Sequence, residues 1–248
     1  MSRRVVAITG GTRGIGRSVA ELFHDRGEAV AVCGRSHPVP ALPPGILFDS
    51  VDVRDRKALD AFVGKVVEQW GVPDVFVNCA GVSRWRAVEE IDEAFVREVL
   101  DTSVLGTLWG CAAAAKVMTE GGCIVNISSL AGKRGSANNS VYCAAKFSVN
   151  GITQALAKEL GPRGIRINAV CPGYVPTPQV LAALAEPVSP ARGQNVEQYL
   201  KGFAATQTAL GRLSSAHEIA EAVYFLTSPA ASAITGQCLN VDCGTLPQ

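Results

Sequence analysis

Histidine is scarce in this sequence, and cysteine never takes the spacing of metal ligands. The chain has only three histidines, His24, His37 and His217, and its eight cysteines are scattered without a Cys-x-x-Cys pair. This argues against a Ser-His-Asp hydrolase and against a zinc site. We expect no metal, and we interpret the cysteines as small core residues in a reducing compartment.

An excess of one charge and a long apolar run are also missing. The 23 Lys and Arg residues nearly balance the 22 Asp and Glu residues, which argues against a nucleic-acid partner. No apolar run reaches the roughly 18 residues of a membrane span, and the N-terminal MSRRVVAITGG lacks the apolar core of a signal peptide. We therefore expect a cytoplasmic protein that binds neither nucleic acid nor membrane.

Short β-branched runs alternate with longer segments of helical periodicity along the whole chain. Strands are predicted at 5–9, 29–33, 46–52, 74–78, 123–128, 165–170 and 237–242. Helices are predicted from residue 15 and over 56–70, 92–117, 142–160 and 216–227, with a proline-rich loop at 37–45 and a loop-and-helix insertion at 174–212. This alternation favours an α/β fold: a single doubly wound (Rossmann) domain over 1–248, with a seven-stranded parallel sheet and helices on both faces.

A glycine-rich turn follows the first predicted strand. Gly10, Gly14 and Gly16 have the spacing G-x-x-x-G-x-G immediately before a helix. Glycines let the backbone approach a pyrophosphate, and the helix N-terminus presents N–H donors to it. The turn therefore predicts a dinucleotide site.

The end of the second strand bears on which dinucleotide binds. A carboxylate there would hold the ribose hydroxyls and repel a 2′-phosphate, but the strand ends Cys33-Gly34-Arg35-Ser36. Arg35 there and Arg13 in the glycine turn can bind a phosphate. We therefore expect NADP(H) in preference to NAD(H).

Three polar residues predict the chemistry. Tyr142 and Lys146 are four residues apart on one helix face, and Ser129 follows the fifth strand at the sheet edge where ligands bind. A nearby ammonium is expected to lower the pKa of the phenol and to let Tyr142 exchange a proton near neutral pH. The Ser129 hydroxyl is placed to bond a substrate carbonyl.

These segments together resemble the short-chain dehydrogenase/reductase family over nearly the whole chain. Asn78-Cys79-Ala80-Gly81 resembles its N-N-A-G strand end, and VDCG at 241–244 resembles its V-D-G-G ending. The resemblance implies a catalytic role for Ser129, Tyr142 and Lys146, with Lys146 also binding the nicotinamide ribose. It places these residues at the cofactor: Thr9, Gly10, Thr12, Arg13, Gly14, Ile15, Gly16, Arg35, Ser36, Asp52, Val53, Asn78, Ala80, Gly81, Tyr142, Lys146, Pro172, Gly173, Val175 and Thr177.

One departure from the family pattern concerns proton relay. Ser103 stands where the family usually has an asparagine that holds a water beside the lysine. Serine is shorter and has fewer bonding groups, so an impaired relay is expected; a helix serine bonded to a backbone carbonyl is the other interpretation.

The resemblance implies an NADPH-dependent carbonyl reductase, with a 3-oxoacyl thioester as one candidate substrate. An NAD(P)-dependent alcohol or hydroxysteroid dehydrogenase and an NADP(H)-binding sensor with weak catalysis remain alternatives. Segment 174–212 is expected to be a mostly apolar lid, and the family often forms homotetramers. Five residues are candidates for the rim of the entrance: Arg84, Trp85, Arg86, Arg134 and Asn138.

Overall fold

One sheet of parallel strands organises the computed structural model, which describes residues 3–247. Its strands are β1 Val5–Thr9, β2 Ala29–Gly34, β3 Leu47–Ser50, β4 Val75–Asn78, β5 Cys123–Ile127, β6 Arg166–Pro172 and β7 Cys238–Val241. Their order is β3-β2-β1-β4-β5-β6-β7, and every neighbouring pair is parallel. The predicted seven-stranded parallel sheet is confirmed.

Helices cover both faces of the sheet, as predicted. They are α1 Gly14–Asp25, α2 Arg56–Trp70, α3 Glu93–Leu100, α4 Gly106–Val117, α5 Ser140–Leu160, α6 Pro178–Leu184, α7 Val196–Gln207 and α8 Ala216–Thr227. Side chains of α1 and α8 form one core with Val6 and Ile8 of β1. Side chains of α2, α4 and α5 form the other core with Val5 and Ala7. Successive residues of β1 thus face opposite cores, which requires strands that are apolar on both faces.

The predicted helix over 92–117 is interrupted. Helix α3 ends at Leu100, a π-helical turn spans Asp101–Leu105, and α4 starts at Gly106. A π turn adds a residue to the helical repeat and often marks a functional site. Ser103 lies in this turn and is fully buried.

The proline-rich segment at 37–45 has no helix, as predicted. The Arg17 guanidinium on α1 donates to the carbonyl oxygens of Pro40 (2.6 Å) and Ala41 (2.9 Å) and so holds this loop against α1. Segment 174–212 contains two helices, α6 and α7. Within residues 3–247 no helix has the length and apolar character needed to cross a membrane.

All eight cysteines are free thiols. Burial raises the pKa of Cys33 and Cys111 to about 12 and that of Cys123 to about 11. These three side chains belong to the two cores, in agreement with their interpretation as packing residues.

Candidate active site

A cleft of about 480 Å³ opens at the carboxyl ends of the strands. It spans the point where the strand order reverses between β1 and β4, which is where open α/β sheets bind ligands. Fourteen residues predicted from the sequence line it: Gly10, Thr12, Arg13, Ile15, Gly16, Arg35, Ser36, Asp52, Val53, Ala80, Gly81, Tyr142, Lys146 and Thr177. The structure thus brings the glycine turn and the tyrosine–lysine pair into one cavity.

The glycine turn packs too closely for side chains. A Cβ on Gly16 would lie 2.3 Å from the Gly10 carbonyl oxygen, and one on Gly10 would lie 2.8 Å from the Ala80 Cα and N atoms. Gly10 also has a φ of +67°, a left-handed conformation that favours glycine. The α1 N-terminus has no side-chain cap and no acidic residue in its first turn, so its N–H groups suit a pyrophosphate. The turn therefore fits a dinucleotide.

The end of the cleft that lies beside the carboxyl end of β2 is cationic. Arg13 and Arg35 both line it, and no ion pair within residues 3–247 engages either of them. The nearby carboxylates have other partners, because Asp52 binds Arg54 and Asp49 binds Lys65 (2.7 Å). The Arg54 guanidinium holds the pKa of Asp52 below its usual value. Two guanidinium groups thus remain available to an anion at this end.

Helix α5 positions the tyrosine and the lysine. The Lys146 ammonium lies 5.7 Å from the centre of the Tyr142 ring and donates to the Ile127 carbonyl oxygen at the end of β5 (2.8 Å). Burial lowers the pKa of Lys146 to about 8. Ser129 caps the short turn after β5, where its hydroxyl accepts from the Ala131 N–H (3.1 Å). The same hydroxyl lies near enough to the Tyr142 phenol to oppose the effect of burial on the phenol's pKa.

The expected direction of the Tyr142 pKa shift was wrong. Burial raises the pKa of this phenol, and the nearby hydroxyls of Ser129 and Ser83 offset that effect only in part. The phenol therefore keeps its proton at neutral pH, which suits a general acid better than a base.

The Ser103 hydroxyl lies close to the Lys146 ammonium. A Cβ on Gly81 would lie 3.6 Å from the Lys146 ammonium and 3.7 Å from the Ser103 hydroxyl, so both groups flank the same small space. The Ser103 hydroxyl accepts from the Val82 N–H at 3.5 Å. The Ser103 hydroxyl therefore bonds to a backbone amide, whereas the second interpretation of this serine predicted a bond to a backbone carbonyl.

Six of the predicted cofactor residues are not among those that line the cleft. The Asn78 side chain is buried and donates to Asn126 Oδ1 (2.9 Å). The Thr9 hydroxyl accepts from the N–H groups of Cys79 (3.2 Å) and Ala80 (3.3 Å) and so fixes the β4 end. The others are outside the lining set: Gly14, Pro172, Gly173 and Val175.

Ser83 is the functional candidate that sequence reasoning missed. It lines the cleft, and its hydroxyl lies near enough to the Tyr142 phenol to oppose the effect of burial on the phenol's pKa. It lies two residues after the Ala80-Gly81 turn, in a segment without helical or strand periodicity. Ser83 is therefore near the phenol only because of the three-dimensional path of this segment. No signal in the sequence marks it.

The residues proposed for the rim have mixed outcomes. Arg84 pairs with Glu98 (3.4 Å) and Glu186 (3.5 Å), and Arg86 pairs with Asp92 (3.8 Å). Trp85 is buried among the lid side chains. Arg134 and Asn138 remain exposed.

Comparison with known proteins agrees with this geometry. A family profile described as enoyl-(acyl carrier protein) reductase matches residues 10–245. A 3-oxoacyl-[acyl-carrier-protein] reductase of Chlamydia muridarum is 35% identical, with coverage of 97% of this chain and 96% of the relative. A 3alpha-hydroxysteroid dehydrogenase of Mediterraneibacter gnavus is also 35% identical, over 98% of this chain and 96% of the relative.

Solved structures show the same architecture. An actinorhodin polyketide ketoreductase variant with NADPH superposes with a TM-score of 0.88 at 33% identity, covering 98% of this chain and 97% of that one. The ligand-free aldohexose dehydrogenase of Thermoplasma acidophilum gives 0.89 at 31% identity, covering 99% and 98%. The fold and the cleft define a nicotinamide-dependent oxidoreductase that acts on CH–OH and C=O groups. The chain belongs to the short-chain dehydrogenase/reductase family.

Proposed function

We propose that this chain reduces ketones with NADPH and that Tyr142 donates the proton. The observation that carries the proposal is the position of Tyr142 and Lys146 on the same cleft as the glycine turn. A nicotinamide cofactor, when bound, supplies the hydride for carbonyl reduction. Tyr142 holds a proton at neutral pH because burial raises its pKa, and it gives that proton to the carbonyl oxygen.

Ser129, Ser83 and Lys146 support this transfer. The two serine hydroxyls lie near the Tyr142 phenol, where they would hydrogen-bond to it and orient it toward the carbonyl. Proton donation leaves a phenolate, and the ammonium 5.7 Å from the ring centre stabilises that charge in its low-dielectric surroundings. Lys146 would also hold the nicotinamide ribose, as in the family.

The cationic end of the cleft supports a preference for NADP(H). Arg13 and Arg35 would hold the 2′-phosphate, and β2 ends without the carboxylate that would repel it. The ketoreductase variant cited above was solved with NADPH, which agrees with this assignment.

The substrate proposed first is a 3-oxoacyl thioester, in line with the Chlamydia relative. The Mediterraneibacter relative supports a second candidate, a hydroxysteroid or another cyclic alcohol. Segment 174–212 would close over either substrate as a lid. The lid and the cofactor site would belong to a single domain of 248 residues, and the proposed assembly is a homotetramer. An NADP(H)-binding sensor with weak catalysis is disfavoured, because Tyr142 and Lys146 both line the cleft and Ser129 lies near the Tyr142 phenol.

Cofactor competition tests this proposal. Initial rates are measured with NADPH and with NADH on an acetoacetyl thioester and on cyclic ketones, and the alcohol product is quantified. Arg35→Asp removes a phosphate donor and adds a repelling carboxylate, so we expect NADPH affinity to fall about 10- to 100-fold while NADH affinity is kept or improved. Tight NADPH binding without turnover of any carbonyl would instead support the sensor.

A further inference from the structure

The connection from β2 to β3 is the one crossover without a helix in the part of the chain that the structure describes. Each of the other five connections between consecutive strands contains at least one α-helix. Parallel strands are usually joined in that way, because a helix covers one face of the sheet. The proline-rich loop at 37–45 takes the place of this helix, and its four prolines restrict φ and stiffen the chain.

Arg17 fastens the middle of this loop to α1. Its guanidinium donates to the carbonyl oxygens of Pro40 (2.6 Å) and Ala41 (2.9 Å), and its Nε donates to Glu21 Oε1 one helical turn further on (2.7 Å). All three nitrogens of the guanidinium are thus engaged. Arg17 is not among the residues that line the cleft, so any contribution it makes to cofactor binding acts through the loop.

The part of the loop that precedes this clamp lines the cofactor cleft. His37, Pro38 and Val39 belong to the cleft wall, next to Arg35. The His37 ring packs against the Phe48 ring of β3, with 4.9 Å between ring centres, and so provides a second anchor. The Val39 side chain lies between the two anchors and is 90% exposed. A stiff loop therefore holds an apolar side chain in water at the edge of the cleft.

Apolar residues also line this end of the cleft from the other face of the sheet. Val51 and Val53, directly after β3, line the cleft and belong to the core that contains α2 and α4. Leu42 and Phe48, by contrast, pack against the core that contains α1. The proline-rich loop and the two valines therefore bound the cleft from opposite faces of the sheet. Such an arrangement suits a flat aromatic ring, which has an apolar surface on each side.

We propose that Val39 covers the adenine ring of the cofactor and that Arg17 is a positioning residue that holds Val39 there. The 2′-phosphate that Arg13 and Arg35 would bind is on the ribose carbon next to the one that carries the adenine, so the base belongs at this end of the cleft. Burial of an exposed valine side chain is worth about 10-fold in affinity. Because NADPH and NADH both contain adenine, Val39 strengthens the binding of both. The inference rests on the cofactor site of the proposed function and assigns a binding role to the loop.

Cofactor binding by Val39→Ser tests the proposal. Calorimetric titration gives the Kd of NADPH, of NADH and of adenosine 2′,5′-bisphosphate, which contains only the adenosine end of the cofactor. Val39→Ser should weaken all three about 10-fold, because a hydroxymethyl group replaces the apolar cover. Val72→Ser is the matched control: Val72 is an exposed valine that precedes β4, at the edge of the sheet opposite the cleft. It should leave all three Kd values unchanged, and both variants should unfold at the urea concentration of the wild type.

Arg17→Gln tests the clamp without changing the cleft wall. It should weaken the same three ligands about as much as Val39→Ser does, and Arg17→Lys should recover part of the loss. In the double variant the loss should be close to that of Val39→Ser alone, because both substitutions remove the same cover. A general defect in α1 would instead add to the effect of Val39→Ser, and that result would contradict the positioning role.

Unchanged Kd values in Val39→Ser, or a loss confined to NADPH, would overturn the proposal. A loss for NADPH and NADH that the bisphosphate does not share would also overturn it, since the effect would then lie at the nicotinamide end. Arg35→Asp provides the contrast, because it should weaken NADPH and the bisphosphate but not NADH. None of these titrations requires turnover. If Tyr142→Phe stays active, the reductase mechanism fails, and the binding result for Val39 is unaffected.

Discussion

At the scale of single residues, the buried ammonium of Lys146 governs the site. It is 5% exposed and binds the Ile127 carbonyl oxygen, while its burial lowers its pKa from 10.5 to about 8. The unfolded chain therefore binds this proton more tightly than the folded chain. The lysine reduces stability below pH 8, and this cost disappears as pH rises from about 8 to 10.5.

Lys146→Met should consequently stabilise the cofactor-free protein at pH 7 by up to about 3 kcal/mol, the equivalent of a pKa fall from 10.5 to about 8. Urea unfolding at pH 7 and at pH 10 measures the difference between variant and wild type. The gain should be much smaller at pH 10. A gain that does not depend on pH, or one that Lys158→Met reproduces, would contradict this account.

The sequence predicted the positions of the candidate site residues better than it predicted their electrostatics. The four-residue spacing placed Tyr142 and Lys146 on one face of a helix, and the position of Ser129 after a strand placed it at the sheet edge. The direction of the tyrosine pKa shift depends on how much of the phenol is buried, which only the packed structure determines. Ser83 lies near the phenol because of the path that the chain takes after β4, so no local sequence pattern could identify it.

At the scale of elements, helix α4 packs so closely on β4 that it needs a glycine. A Cβ on Gly110 would lie 2.0 Å from Asn78 Oδ1. Asn78 donates to Asn126, which in turn donates to the Thr153 hydroxyl on α5 (2.9 Å). This buried chain of hydrogen bonds connects β4 and β5 to the helix that carries Tyr142 and Lys146.

Gly110→Ala should therefore destabilise the protein by about 1–3 kcal/mol, because the added methyl group displaces Asn78. Gly151→Ala is the matched control in α5, where no atom lies within 4 Å of the added Cβ, and it should stabilise by about 0.5–1 kcal/mol. Denaturant unfolding of both variants checks the pair. Equal effects of the two substitutions would show that α4 does not need the close approach.

Regular elements were predictable, and the irregular one was not. The apolar periodicity over 56–70 and 216–227 reproduced the bounds of α2 and α8, because each helix buries one face against the sheet. The π turn at Asp101–Leu105 depends on a changed hydrogen-bond register, which leaves no mark in the apolar spacing. One helix over 92–117 was therefore predicted where the chain has two.

At the scale of the whole molecule, the proposed homotetramer gives a role to exposed apolar side chains near α4 and α5. Phe147 on α5 is 48% exposed and Leu105, just before α4, is 37% exposed. Such side chains favour burial between subunits. Light scattering coupled to size-exclusion chromatography should give about four times the 25.9 kDa chain mass.

Phe147→Glu should shift that mass toward smaller species, because a carboxylate would be buried in the interface. Val72→Glu, a substitution at a similarly exposed apolar residue after α2, should leave the mass unchanged. A wild-type mass of one chain would contradict the assembly.

The most direct test of the account is single-turnover carbonyl reduction by Tyr142→Phe at saturating NADPH, with cofactor affinity measured in parallel. General acid catalysis typically contributes about 10²- to 10⁴-fold, so a loss of that size with unchanged NADPH affinity is expected. Reduction at a rate within ten-fold of wild type would show that the proton comes from elsewhere and would contradict the central claim.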